Sequence, residues 1–141
     1  DRPLLEKGLK RTRLIINYLQ TNNRKIELII TSHATRAMET ARIIAHAFNV
    51  DDENIRVEKA VYMADPDSLM DQFYDLPSAV SDVMLVGHNP SVTNFANTFL
   101  EEKIDYLPTS GVVAISFETD KWEELPFARF KTEFTIFPKM I

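Results

Sequence analysis

Hydrophobic positions recur along the chain in two alternating patterns, one typical of helices and one typical of buried strands. Apolar residues three or four positions apart predict amphipathic helices, whereas short continuous apolar runs predict strands covered on both faces. The predicted helices span residues 4–21, 35–48, 66–76 and 90–100, and the predicted strands span residues 26–31, 55–57, 83–86, 112–117 and 129–137. Strands that alternate with helices favour a three-layer α/β/α sandwich around one mostly parallel sheet, which the last two strands would close.

The order of the predicted elements is irregular at one point, because the chain opens on a helix. An α/β sandwich of this kind usually begins with a strand, so we expect a native first strand to be missing from the sequence. No repeat, low-complexity tract or linker divides the chain. Residues 1–141 are therefore predicted to form a single, N-terminally incomplete domain.

Composition narrows the class of protein. The chain has 141 residues, 45% of them hydrophobic and 26% charged, as is typical of a globular domain. Its 16 basic and 21 acidic residues give a net charge of −5, which argues against nucleic acid or a membrane surface as a partner. The absence of cysteine excludes a disulfide scaffold and a thiolate nucleophile, and it favours the cytoplasm. Gly8, Gly87 and Gly111 are too few for a glycine-rich phosphate loop, and each is expected where the backbone needs it.

The first segment with a candidate functional residue follows the predicted strand at residues 26–31. Ligands of open α/β sheets bind beyond the carboxyl ends of the parallel strands. Arg36 falls in the first turn of the next helix, where free backbone N–H groups favour an anion. Its guanidinium can hold phosphate oxygens through two parallel hydrogen bonds. The alternative is a surface ion pair with a carboxylate such as Glu39.

The second candidate follows the predicted strand at residues 83–86. Asn89 is placed as the N-cap of the next helix and Pro90 as its first residue, so His88 projects from the joint. A protonated His88 can neutralise a phosphate oxygen, whereas a neutral one can bind a metal or act as a base. The alternative is a structural histidine. His33 and His46 lack metal-ligand spacing to His88, so no metal site is predicted.

Together these segments resemble the histidine phosphatase superfamily, and within it the small phosphohistidine phosphatases of the SixA type. The matching segments are Asp1-Arg2-Pro3-Leu4 with Gly8, Thr31-Ser32 with Arg36-Ala37 and Thr40-Ala41, Val86-Gly87-His88-Asn89-Pro90, Pro108-Thr109-Ser110-Gly111, and Pro138-Lys139. The family's nucleophilic histidine lies in an Arg-His-Gly or Arg-His-Ala motif, which would be upstream of Asp1. His33 and Leu5 depart from the family pattern, replacing a frequent proline and a commoner polar residue.

The resemblance implies a phosphoglycerate mutase-like fold and a mechanism that needs no metal or cofactor. The upstream histidine attacks phosphorus, and water then hydrolyses the phosphohistidine intermediate. Arg36 and His88 are the implied catalytic residues, because they would surround the transferring phosphoryl group with positive charge. Substrate-binding roles are expected for Arg2, at the pocket mouth or in solvent, and for Asn89, near backbone N–H groups. Ser32 would either bind the phosphate or cap the helix at residues 35–48.

Many members of the family also use a carboxylic acid to protonate the leaving group. Glu58, Asp65 and Asp67 lie in the right stretch, but each fits a surface carboxylate better. An imidazole departs more readily than an alkoxide, so a missing acid favours phosphohistidine in a protein as the substrate. The alternatives are a broad phosphatase for small phosphoesters and a non-catalytic phosphate-binding module, since the sequence carries no nucleophile motif.

Overall fold

The computed structural model of the protein describes residues 5–141. The helices are α1 (Glu6–Thr21), α2 (Thr35–Phe48), α3 (Pro66–Asp71) and α4 (Ser91–Asn97). The strands are β1 (Leu28–Thr31), β2 (Ile55–Val57), β3 (Val83–Val86), β4 (Val112–Phe117) and β5 (Phe130–Ile136). Every predicted helix and strand is therefore present, with differences at several ends.

The first three strands form a parallel sheet in the order β2-β1-β3. β1 is the middle strand and is buried at all four positions. Thr31, its last residue, lies opposite Val57 of β2 on one side and Val86 of β3 on the other. The three carboxyl ends are therefore level, and the loops that follow them emerge at one edge of the sheet.

Alternate residues of the sheet enter two different cores. Ile29 packs with Ile16, Ala41 and Ile44 in the core formed by α1 and α2. Its neighbour Ile30 packs on the opposite face, in a core that includes Leu69 of α3, Leu125 and the half-buried Phe95 of α4. Because side chains alternate across a strand, a strand that is apolar throughout must be covered on both faces. This arrangement is the predicted three-layer sandwich.

The last two strands differ from the prediction that they close the same sheet. β4 and β5 pair with each other in antiparallel register, from Val112 opposite Ile136 to Phe117 opposite Phe130. Among residues 5–141 they form a separate two-stranded sheet. The connection of twelve residues between them includes a short helical turn at Trp122–Phe127, and it returns the chain directly beside β4.

Two helices on the α3 and α4 side are shorter than predicted. The predicted helix 66–76 ends at Asp71, and the predicted helix 90–100 covers Ser91–Asn97. In both cases the chain continues in tighter turns whose N–H groups bond three residues back, as Phe73 does to Met70 and Phe99 does to Ala96. Apolar spacing alone does not distinguish these turns from a continuing α-helix. At the other end of the chain, Leu5 falls within the predicted helix 4–21, but it precedes α1 and is 66% exposed.

No helix within residues 5–141 has the length and apolar character needed to cross a membrane.

Candidate functional site

The loops after β1 and β3 are joined by a hydrogen bond between side chains. Ser32 directly follows β1, and its N–H donates to the carbonyl of Val86, which extends the parallel pairing by one residue. The Ser32 Oγ then lies 2.7 Å from Nε2 of His88. The same oxygen accepts the N–H of Ala34 at 3.1 Å. These contacts place His88 beside the start of α2, as expected for level strand ends.

Ser32 is completely buried, so its surroundings decide between its two predicted roles. The residue at the N-cap of α2 is Ala34, and no side chain caps that helix. The prediction that Ser32 caps α2 is therefore wrong in the strict sense, although its hydroxyl satisfies the N–H just ahead of the helix. The contacts favour a role in positioning His88, and direct binding of phosphate by Ser32 stays a prediction.

Arg36 lies in the first turn of α2 and is exposed to solvent. The loop that leads into α2 contacts His88 through Ser32, and the positive charge of Arg36 contributes to lowering the pKa of His88. The alternative for Arg36, a surface ion pair with Glu39, stays an expectation from the sequence. The first turn of an α-helix also offers N–H groups without partners inside the helix, which adds attraction for an anion near Arg36.

His88 is half-buried, and the pKa of its imidazole is lowered from the ordinary value of 6.5. The main cause is burial, which disfavours the charged form, followed by the repulsion of His33 and then of Arg36. The unliganded site therefore favours a neutral His88. An anion between Arg36 and His88 would reverse this balance, because an opposite charge nearby stabilises the imidazolium.

A third strand end contributes a side chain, Tyr62, that was not predicted from the sequence. Tyr62 follows β2 through the short turn Lys59–Val61 and lies between the two imidazoles of the site. Its ring centroid is 5.5 Å from that of His33 and 5.2 Å from that of His88, both in edge-to-face geometry. The signal that would have found it is the rule already used for β1 and β3, applied to the loop after β2.

Asn89 has a different role from the predicted N-cap. The N-cap position of α4 is Pro90, no side chain caps the helix, and Pro90 therefore precedes it instead of starting it. Asn89 donates from Nδ2 to the carbonyl of Leu107 at 2.8 Å, and its Oδ1 accepts the hydroxyl of Thr93. The amide thus ties the His88 loop to the segment before β4. Binding of substrate by Asn89 stays a prediction.

The three carboxylates considered as a general acid differ in their surroundings. Asp65 is the N-cap of α3 and accepts the N–H of Ser68 at 2.8 Å. This backbone hydrogen bond is the main cause that lowers the pKa of Asp65, so the carboxyl group stays ionised and is a poor proton donor. Glu58 lines a small cavity of about 170 Å³ with Arg56 and Asp75, and Asp67 is exposed.

Arg2 lies outside the described residues. His33 is exposed beside Tyr62, and His46 is exposed on α2, as predicted for a surface histidine. No group of three potential metal ligands occurs in the described part of the chain.

One family model, several sequence relatives and several solved structures match the chain. The model of the histidine phosphatase superfamily (branch 1) matches residues 1–60. An uncharacterized protein of Mycobacterium leprae is 27% identical over 134 residues, covering 89% of this chain and 80% of that protein. The solved structure of the protein histidine phosphatase SixA complexed with tungstate has a TM-score of 0.81 at 20% identity, covering 99% of this chain and 86% of that chain. A SixA candidate from Agrobacterium tumefaciens has a TM-score of 0.76 at 23% identity, covering 96% of this chain and 83% of that chain.

These findings confirm the resemblance to the histidine phosphatase superfamily, over a segment that includes Ser32 and Arg36. They also confirm the α/β fold, which is shared with SixA. Family match and fold together support a phosphatase-type hydrolase, the class of enzyme predicted from the motifs. His88 lies beyond the matched segment, and its place in the site rests on its contacts with Ser32 and Tyr62.

Proposed function

We propose that the protein is a metal-independent phosphatase that removes phosphate from phosphohistidine in a protein. The observation that carries the proposal is the convergence of Arg36 and His88 at one sheet edge, with His88 held by the buried Ser32. The nucleophile in this mechanism is the histidine that the family resemblance implies upstream of Asp1. A phosphorylated protein is then the partner, and the cytoplasm stays the predicted compartment.

The charges of the site suit phosphoryl transfer. The transferring group carries negative charge on its equatorial oxygens, so catalysis depends mainly on positioning and electrostatic stabilisation. The guanidinium of Arg36 is always charged and can bind two of these oxygens. Burial lowers the pKa of His88 and favours its neutral ring, whereas a bound dianion raises this pKa and favours the charged ring. Binding and protonation are therefore coupled at His88.

The surroundings of His88 favour a leaving group that can depart without being protonated by a general acid. Within residues 5–141, its side-chain hydrogen bond is to Ser32 and its ring contact is to Tyr62, and neither partner is a carboxyl group. Asp65 is held ionised at the start of α3. An alkoxide leaving group requires protonation, whereas the nitrogen of an imidazole departs more readily. This difference supports phosphohistidine over a simple phosphate ester.

The test is hydrolysis of a phosphohistidine protein by the full-length chain. Arg36→Ala and His88→Ala should each lower kcat about a hundred-fold, the usual loss when one group that stabilises the transition state is removed. Arg42→Ala and His46→Ala are matched controls, because both residues are exposed on α2 beyond the first turn. Full activity in the Arg36 and His88 variants would contradict the proposal. Phosphate binding without any turnover by the wild type would instead indicate the phosphate-binding module.

A further inference from the structure

Tyr62 places an aromatic ring between the two imidazoles at the candidate site. It contacts His33 on one side and His88 on the other, and 49% of its surface is nevertheless exposed. The tyrosine is carried by a short turn that begins immediately after Glu58, whose N–H donates to the carbonyl of Thr31 in the central strand. The backbone that leads to Tyr62 is therefore held against the central strand, while about half of the tyrosine stays exposed.

The exposed part of the Tyr62 ring is not required for binding the phosphate anion. Arg36 and His88 supply the charge for the anion, whereas a phenol ring offers apolar area and a negative π face. Aromatic rings favour other flat rings in offset or edge-to-face contact, and they also favour cations over their faces. An imidazole bonded to phosphorus is flat, and it becomes cationic when protonated. Tyr62 thus matches the group that leaves, and not the group that is transferred.

We propose that Tyr62, supported by His33, forms a leaving-group subsite that takes a planar heteroaromatic ring attached to the phosphoryl group. This inference rests on the proposed function and extends it to the choice of substrate. Histidine bonded to phosphorus is the matching chemistry among protein side chains. The subsite adds affinity for aromatic leaving groups and leaves the affinity for phosphate itself to Arg36 and His88.

The experiment measures the binding of three probes to the full-length protein by calorimetry. The probes are inorganic phosphate, methylphosphonate and phenylphosphonate, which share the anion and differ in the attached group. The variants are Tyr62→Phe, which keeps the ring, and Tyr62→Leu, which removes it. Phe127→Leu is the control for loss of an exposed aromatic ring elsewhere, because Phe127 is 89% exposed.

We expect the wild type to bind phenylphosphonate roughly three- to ten-fold more tightly than methylphosphonate, the size of one aromatic contact. Tyr62→Phe and Phe127→Leu should keep that ratio, whereas Tyr62→Leu should reduce it to near one, whatever change the lost contact with His88 makes in the affinity for phosphate itself. A wild-type ratio near one, or a ratio that survives in Tyr62→Leu, would overturn the subsite and leave the proposed function intact. Failure of phosphate to bind any form would overturn the proposed function as well.

Discussion

The hydroxyl of Ser32 and Nε2 of His88 lie 2.7 Å apart, although 56 positions separate the two residues in the chain. The contact exists because β1 and β3 are parallel neighbours that end level, Thr31 opposite Val86. Ser32 is fully buried and His88 is half-buried, so the pair connects the interior of the protein to its candidate site. The orientation of the imidazole is thus set by the sheet.

Replacing Ser32 by alanine should weaken the site without removing any charge. Loss of one hydrogen bond to His88 is worth about 1 kcal/mol, which corresponds to roughly five-fold weaker binding of phosphate. The N–H of Ala34 also loses its partner, so the free energy of unfolding should fall by about 1–3 kcal/mol. Calorimetry with phosphate and urea titration measure the two effects. Ser116→Ala, a control at an exposed serine on β4, should leave phosphate binding unchanged.

His88 should make the stability of the unliganded protein depend on pH. Its pKa is lower in the folded protein than the ordinary value of 6.5, mainly because of burial, so the unfolded chain binds the proton more readily. The contribution to stability is complete above about pH 6.5 and is lost as the pH falls through the folded pKa. The free energy of unfolding should therefore decrease less between pH 7 and pH 5 in His88→Gln than in the wild type. Equal slopes in urea titrations of both proteins would contradict this expectation.

Replacing Arg36 by alanine should raise the pKa of His88. The positive charge of Arg36 is one of the causes that lower this pKa, after burial and His33. Titration of the His88 ring protons by NMR measures the shift directly. Arg42→Ala removes the same charge from an exposed position further along α2 and should leave the His88 titration in place. If the two variants titrate alike, the guanidinium of Arg36 is not directed towards His88.

Gly87 should tolerate no larger side chain. The reason is a steric clash with a neighbouring residue, and not the backbone conformation of the glycine. No glycine among residues 5–141 has a positive φ, but a Cβ at Gly87 would lie 2.8 Å from Cγ1 of Val92. Valine is stiff at χ1, so Gly87→Ala should lower the free energy of unfolding by about 1–3 kcal/mol and move the adjacent His88. Thermal unfolding and phosphate binding measure both effects. Adding Val92→Ala should recover part of the loss, and simple additivity of the two substitutions would show that the predicted clash does not occur.

Asn89 should matter for the stability of the loop that carries His88. Asn89→Ala removes the bonds to Leu107 and Thr93, so the free energy of unfolding should fall by about 1–3 kcal/mol. Asn94→Ala is the matched control, since Asn94 is exposed on α4, and it should change stability by no more than about 0.5 kcal/mol. Urea titration measures the free energy of unfolding of both variants. Equal small losses would mean that the Asn89 amide does not hold the segment before β4.

Much of the architecture was predictable from local pattern. The helix at residues 35–48 and the strands at residues 55–57, 83–86 and 112–117 have the predicted bounds, because their apolar spacing is continuous and uninterrupted. The helices that follow β2 and β3 were predicted too long, because the chain tightens there into turns with the same spacing of buried residues. The separate pairing of β4 with β5 depends on how two distant segments meet, which apolar content does not encode.

The candidate site was predictable in its location and only partly in its contacts. The rule that ligands bind beyond parallel strand ends pointed to the loops of Arg36 and His88, which the structure brings to one edge. Tyr62, which follows β2 and contacts His88 at the same edge, was not predicted. Asn89 was predicted to cap the next helix, because asparagine favours that position locally. Its amide instead donates to the backbone carbonyl of Leu107, which the fold brings within hydrogen-bond distance.

The order of apolar and polar residues specifies which segments of the chain are helices or strands, which faces are buried and where polar side chains leave the sheet. These properties follow from the period of side chains along a helix or strand, and that period is local. Which side chains contact one another depends instead on the packing of distant segments: Ser32 with His88, Asn89 with Leu107, and Tyr62 with two imidazoles. A hydrogen bond or ring contact depends on positions to within a fraction of an ångström, and such positions are set by the packing of the whole core.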